Sequence, residues 1–206
     1  MAERRYTPRE EIWNWASHLL GSVVVLLAGF YLLRPVAGNW LTAARIFYWF
    51  SMLAMCTASS CYHLVRDPAR KAACRKLDHC AIYLLITGTY APLMAGLLPD
   101  WRGVAVMAAL FTLTAAGIAL KFGCAQRFHR IEVVIYIAMG WLCLTVLKPL
   151  VSAMDRTGFP LLLSGGAFYT LGVAFYVVKR EFFHAIWHFM VLSGVILQLL
   201  AVLTVR

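Results

Sequence analysis

The chain has 206 residues, of which 62% are apolar and only 14% charged, against roughly 25% charged residues in water-soluble domains. With a mean hydropathy of +0.75 it carries more apolar side chain than one core of this size can hide, which excludes a water-soluble globule and points to a lipid bilayer. The formal charge of +10 comes without any basic-aromatic binding element, so it argues for membrane orientation and against a nucleic-acid partner.

Seven apolar runs reach the roughly 20 residues needed to cross about 30 Å of hydrocarbon: approximately 12–33, 41–64, 78–98, 103–121, 132–151, 160–178 and 183–204. They predict an all-α, seven-transmembrane helix bundle that uses residues 1–206 as one domain. The first run has a basic flank at Arg4, Arg5 and Arg9, as a secretory signal does, but its length suits a full span and no small-residue cleavage site interrupts it, so it is expected to be retained. In the second run Arg45 stands one turn inside and is expected to snorkel to the interface, while Ser59 precedes His63 by one turn at the far end. Asp78 and His79 are expected to open the third run, after a charged break at 66–76. The fourth and fifth are bounded by Pro99 with Asp100 and by the polar stretch 121–130. Gly165, Gly166 and Gly172 in the sixth predict close helix contact rather than a binding role. His184 and His188 open the seventh.

Sorting basic residues by alternate loops puts Arg4, Arg5, Arg9, Arg66, Arg70, Lys71, Arg75, Lys76, Lys121, Arg127, Arg130, Lys179 and Arg180 on the side of the N-terminus, 13 of 19. Arg34, Arg45, Arg102, Lys148, Arg156 and Arg206 fall opposite. The positive-inside rule therefore predicts a cytoplasmic N-terminus and a C-terminus outside. Trp13, Trp15, Trp40, Trp101 and Trp187 sit where an interfacial aromatic belt is expected. None of the six cysteines forms a C-x-x-C pair, so they are expected to be small buried apolar residues, not redox or zinc groups.

On this topology all six histidines, His18, His63, His79, His129, His184 and His188, lie toward the cytoplasmic side. His184 and His188 are spaced i, i+4, which puts both imidazoles on one helical face, at the spacing a tetrahedral metal ion can bridge; the same spacing also suits two solvated interfacial residues. His63 at matching depth would make a third nitrogen ligand and leave a fourth position open, as in catalytic zinc sites. Ala185 stands where an H-E-x-x-H motif has its glutamate, so a general base must come from another helix, and Asp78 is the supplier at hand. Asp78 is equally readable as a helix N-terminal carboxylate favoured by the dipole. Ser59 is readable as a group that orients water or substrate, or as a hydroxyl bonded to its own helix. The sequence does not choose roles for His18, His79 and His129.

Ser59-x-x-x-His63, Leu77-Asp78-His79-Cys80-Ala81-Ile82-Tyr83 with Gly88-Thr89-Tyr90-Ala91-Pro92, and His184-x-x-x-His188 together resemble the hemolysin III family of bacterial inner-membrane proteins. Glu11-x-x-Asn14-x-x-x-His18 is similar to the family's opening, so the resemblance spans nearly the whole chain. The family is grouped with the progestin and adiponectin receptors and the alkaline ceramidases, seven-helix proteins with a cytoplasm-facing zinc site. The resemblance implies that His63, His184 and His188 hold zinc and that Asp78 and Ser59 contact the metal-bound water or the substrate. It also implies a multi-pass protein of the bacterial inner membrane.

Two functions fit these residues best. A hydrolase of lipid amide or ester bonds would take a membrane lipid laterally between helices and act in membrane lipid homeostasis. A non-enzymatic receptor or regulator of membrane state would use the same zinc as a staple between the second and seventh spans, with a membrane lipid as ligand. A pore-forming haemolysin comes third, because the outer halves offer no continuous polar path.

Overall fold

The computed structural model describes residues 6–34, 39–123 and 125–205, with the side chains of 125–130 left aside. The expectations for Arg4, Arg5, Cys124, Arg127, His129, Arg130 and Arg206 lie outside the described residues. The elements are α1 (Pro8–Leu32), α2 (Asn39–Leu64), α3 (Pro68–Leu97), α4 (Trp101–Gly123), α5 (Ala125–Gly140), a 3₁₀ segment (Leu142–Val146), α6 (Leu147–Ala153), α7 (Gly158–Val177) and α8 (Phe183–Leu203). Among the described residues there is no strand, and seven helical segments are long and apolar enough to cross a membrane. The fifth of these runs from Ile131 to Ala153 and includes the 3₁₀ segment.

The chain packs as an all-α bundle in which α3 is the most enclosed helix, touching α2, α4, α5 and α8. α1 lies between α2 and α8, and α7 packs on α8 and α5. Tyr48, Met52, Tyr83, Leu93, Leu110 and Val195 are buried at the centre. The outward faces carry Leu20, Leu27, Phe30, Val104 and Leu171, each at least half exposed, as a lipid-facing surface requires. Trp13, Trp40 and Trp101 are likewise exposed near helix ends, where belt residues sit.

Small residues set the helix spacing. A Cβ on Gly88 would stand 2.1 Å from Ser51 Oγ, so α3 can approach α2 this closely only without a side chain there. Along the α7–α8 seam, a Cβ on Gly165 would meet Gln198 at 2.6 Å, and one on Gly194 would meet the Tyr169 ring at 2.6 Å. Gly172 behaves as expected, with Met190 and Trp187 at 3.0 Å, but Gly166 has room, its nearest neighbour being Trp141 at 4.0 Å.

Three expectations change. α3 starts at Pro68, not at 78, because Asp67 N-caps it (its side chain accepts the Arg70 N–H at 2.9 Å) and Pro68 fits the first helical position. Asp78 is therefore well inside a helix and not at its start, which removes the dipole explanation for it. Arg45 does not snorkel: it is 5% exposed and donates to the Val205 carbonyl, tying α2 to the end of α8. The cysteines are mixed, with Cys56 and Cys80 buried but Cys61 exposed; the five described ones are unpaired.

The break in the fifth span is stitched from α3. Tyr90 donates its hydroxyl to the Gly140 carbonyl and accepts the Cys143 N–H, both at 2.8 Å, so backbone groups freed by the loss of regular helix find partners inside the protein. Irregular backbone at membrane depth needs such satisfaction. Further along, Lys121 on α4 forms a buried pair with Glu132 on α5, its Nζ at 3.0 and 2.7 Å from the two carboxylate oxygens. At the opposite end, the Arg102 guanidinium bonds Asp100 at 2.7 Å and holds its carboxyl below the usual carboxylate range.

Candidate metal centre

At the end of the bundle where α1, α3 and α8 begin and α2 finishes, three imidazoles converge. His63 Nε2 and His188 Nε2 each lie 3.2 Å from His184 Nε2, and one nitrogen from each of the three residues falls within 4.8 Å of the others. Metal–nitrogen bonds of about 2.0–2.1 Å at tetrahedral angles put ligand nitrogens about 3.3 Å apart. The two spacings through His184 are close to that edge length. His63 and His188 are 3% and 2% exposed and His184 is half-buried, so the residues present form a largely enclosed nitrogen donor set of the kind zinc takes.

The sequence explains the convergence locally. His63 is in the last turn of α2 and His184 and His188 are in the first two turns of α8. The i, i+4 spacing places the latter two on one face, with ring centroids 4.7 Å apart. α8 begins where it does because Phe182 takes a left-handed conformation, φ 59°, which is disfavoured for a residue with a side chain. Glu10 of α1 holds that turn: its Oε1 accepts the Phe182 N–H at 3.0 Å, while its Oε2 accepts the Thr7 N–H at 2.9 Å in a capping box that starts α1.

The far nitrogens of two imidazoles are also engaged. His63 Nδ1 is 2.6 Å from Glu11 Oε2, and Glu11 Oε1 takes Lys71 Nζ at 2.7 Å. His188 Nδ1 is 3.0 Å from the Asn14 carbonyl and 3.1 Å from Ser17 Oγ. His18 stacks on His188, with centroids 3.9 Å apart and planes 17° from parallel, and the Tyr6 ring lies 4.9 Å from that of His184.

Of the five residues singled out from the sequence, three are thus in mutual contact. Asp78, with its side chain 15% exposed, is 3.5 Å from His79 Nδ1 and within electrostatic range of His18, His63 and His184. Ser59 is 2% exposed and one turn before His63 on α2, which gives both the same face. Sequence reasoning gave no role to Glu10, Glu11, Asn14 or Ser17. For Glu11 and Asn14 a signal exists in the spacing Glu11, Asn14, His18, which repeats at i, i+3, i+7 and marks one helix face, but that spacing does not say which helix the face meets.

The family model described as Haemolysin-III related matches residues 6–199. The chain is 34% identical over 193 residues to a protein of Bacillus subtilis (strain 168) named Hemolysin-3 homolog, covering 92% of this chain and 91% of the relative. It is 35% identical over 199 residues to a Bacillus cereus protein named Hemolysin-3, covering 95% and 91%. With a family match that takes in all of α2 and nearly all of α8, the helices that carry the three histidines, this multi-pass membrane protein belongs to the hemolysin III family.

Proposed function

We propose that the protein is a zinc-dependent hydrolase of amide or ester bonds in membrane lipids, working in membrane lipid homeostasis from the cytoplasmic face of the bacterial inner membrane. The observation that carries this reading is the convergence of three histidines, with the Nε2 atoms of His63 and His188 each 3.2 Å from that of His184, and a carboxylate on a neighbouring helix inside electrostatic range. Zinc, when bound, polarises a carbonyl and brings the pKa of a coordinated water to about 7.

The chain's own groups then divide the remaining work. Asp78 accepts a proton from the attacking water and returns it to the departing amine or alcohol, so one water is consumed and an acid and an amine or alcohol result. General-base help of this kind is worth about 10²–10⁴ in rate. Ser59, buried on the His63 face, donates its hydroxyl to the carbonyl oxygen as negative charge builds there. Asp78→Asn preserves shape and removes the base. Purified protein in nanodiscs, offered ceramide-like amides and phospholipid esters, should lose turnover by about 10²–10⁴ with Asp78→Asn while keeping its zinc, and Ser59→Ala should lose less. Fully zinc-loaded wild type that turns over neither class sinks the hydrolase reading.

A second reading has its own support. The three histidines join α2 to α8 across the intervening α1, so a metal there would act as a staple in a regulator of membrane state even with no turnover. Loss of zinc would then loosen the bundle, and deletion would alter membrane fluidity in cells.

A further inference from the structure

α1 gives the histidine cluster no ligand nitrogen, yet its first three turns touch what fixes each of the three rings. We propose that this face of α1, with Glu11 as the principal positioning residue, is the outer shell of the metal centre and sets its affinity. The inference rests on the metal reading above and adds to it a function for Glu11, Asn14 and Ser17.

For a histidine to offer Nε2 as a lone pair, its proton must sit on Nδ1, and a partner that accepts from Nδ1 fixes that tautomer and the ring's direction. Glu11 Oε2, 2.6 Å from His63 Nδ1, is an acceptor only, so the imidazole is the donor. The same logic holds on α8. Ser17 gives its one hydroxyl proton to the Asn14 carbonyl at 2.9 Å, so its oxygen is left to accept from His188 Nδ1 at 3.1 Å, beside the Asn14 carbonyl at 3.0 Å. Both rings consequently turn Nε2 toward His184. The third ligand is set through the backbone, because the Glu10 carboxylate holds the Phe182 N–H and with it the first turn of α8.

Glu11 also has an alternative employment as one half of an ion pair with Lys71, at 2.7 Å. That pair is partly exposed, with side chains 27% and 21% accessible, and pairs of that kind contribute little on their own. The two roles separate by experiment. A residue that only pairs with Lys71 is mimicked by removing Lys71, whereas a residue that holds His63 is not.

The test is zinc affinity, measured by chelator competition on the full chain in nanodiscs, with thermal unfolding of the metal-free protein followed in parallel. Glu11→Ala should weaken zinc binding by about 10–100-fold, the usual effect of removing an outer-shell partner. Glu11→Gln, which keeps an acceptor oxygen for Nδ1, should recover most of that loss, and Lys71→Ala should weaken binding much less than Glu11→Ala. Ser17→Ala, which leaves the Asn14 carbonyl in place, should cost less than about tenfold and serves if Glu11→Ala does not fold. Equal affinity for wild type, Glu11→Ala and Ser17→Ala overturns the inference and leaves the metal reading standing. Equal losses in Glu11→Ala and Lys71→Ala also overturn it, in favour of the ion pair. A wild-type chain that binds no zinc overturns the metal reading and this inference together.

Discussion

Lys121→Met removes the cation from the pair that joins α4 to α5 and leaves a carboxylate, Glu132, with a side chain only 2% exposed. At 2.7 Å and an effective dielectric constant of about 20, the lost attraction is about 6 kcal/mol before desolvation is counted. Part of that attraction offsets the cost of burying both groups, so the net loss expected is the about 3–5 kcal/mol seen when one member of a buried pair is deleted. The double change Lys121→Met with Glu132→Leu removes the buried carboxylate as well and should recover most of the stability. Unfolding from mixed micelles by increasing sodium dodecyl sulfate, followed by circular dichroism, reads these two variants and the single change Glu132→Leu against wild type. A single variant as stable as wild type, or a double variant whose loss is the sum of the two single ones, refutes the reasoning, since either result means that the two groups do not depend on each other.

Zinc should be present at one ion per chain, and His63→Ala, His184→Ala or His188→Ala should each lower its occupancy sharply by elemental analysis, whereas Lys148→Ala on a remote segment should not. Acidification should release the ion from wild type, because a protonated imidazole has no lone pair to give. A C-terminal alkaline phosphatase fusion should be active and a C-terminal green fluorescent fusion dark, since 13 of 19 basic residues fall on the side of the N-terminus; the reverse pattern would invert the orientation. Gly194→Leu, which drives a side chain into the Tyr169 ring, should cost about 1–3 kcal/mol, while Gly166→Ala, with its nearest neighbour 4.0 Å away, should leave stability unchanged.

The spans were legible because each is a long apolar run ended by charge, proline or glycine, and lipid leaves the backbone few other choices. The convergence of the three histidines was legible for a narrower reason: His184 and His188 advertise a shared face by their spacing, and His63 could be set at their depth once the helices were counted. The start of α3 was hidden by its composition. Residues 68–77 are too charged to resemble a membrane helix, and the capping signal of Asp67 followed by Pro68 belongs to a helix that runs on beyond the apolar stretch. The break after Gly140 was also invisible, because it is supported by Tyr90, fifty residues earlier by the hydrogen bond that bridges them. The outer shell from α1 was missed since periodicity shows that Glu11, Asn14 and Ser17 share a side of a helix but not which helix that side meets.

The cluster takes His63 from α2 and His184 and His188 from α8, with Glu11, Asn14 and Ser17 from α1 set against them. It is therefore assembled from helices far apart in the chain, with α8 leaving the ribosome long after α1 and α2. Until α8 is in place, His63 lacks His184 and His188 and the polar face of α1 has no second wall, so a chain without α8 carries ionisable side chains toward lipid, where they are costly. A product that stops short of α8 differs from one that contains it in that polar seam, and closure of the seam around α8 is what removes the difference.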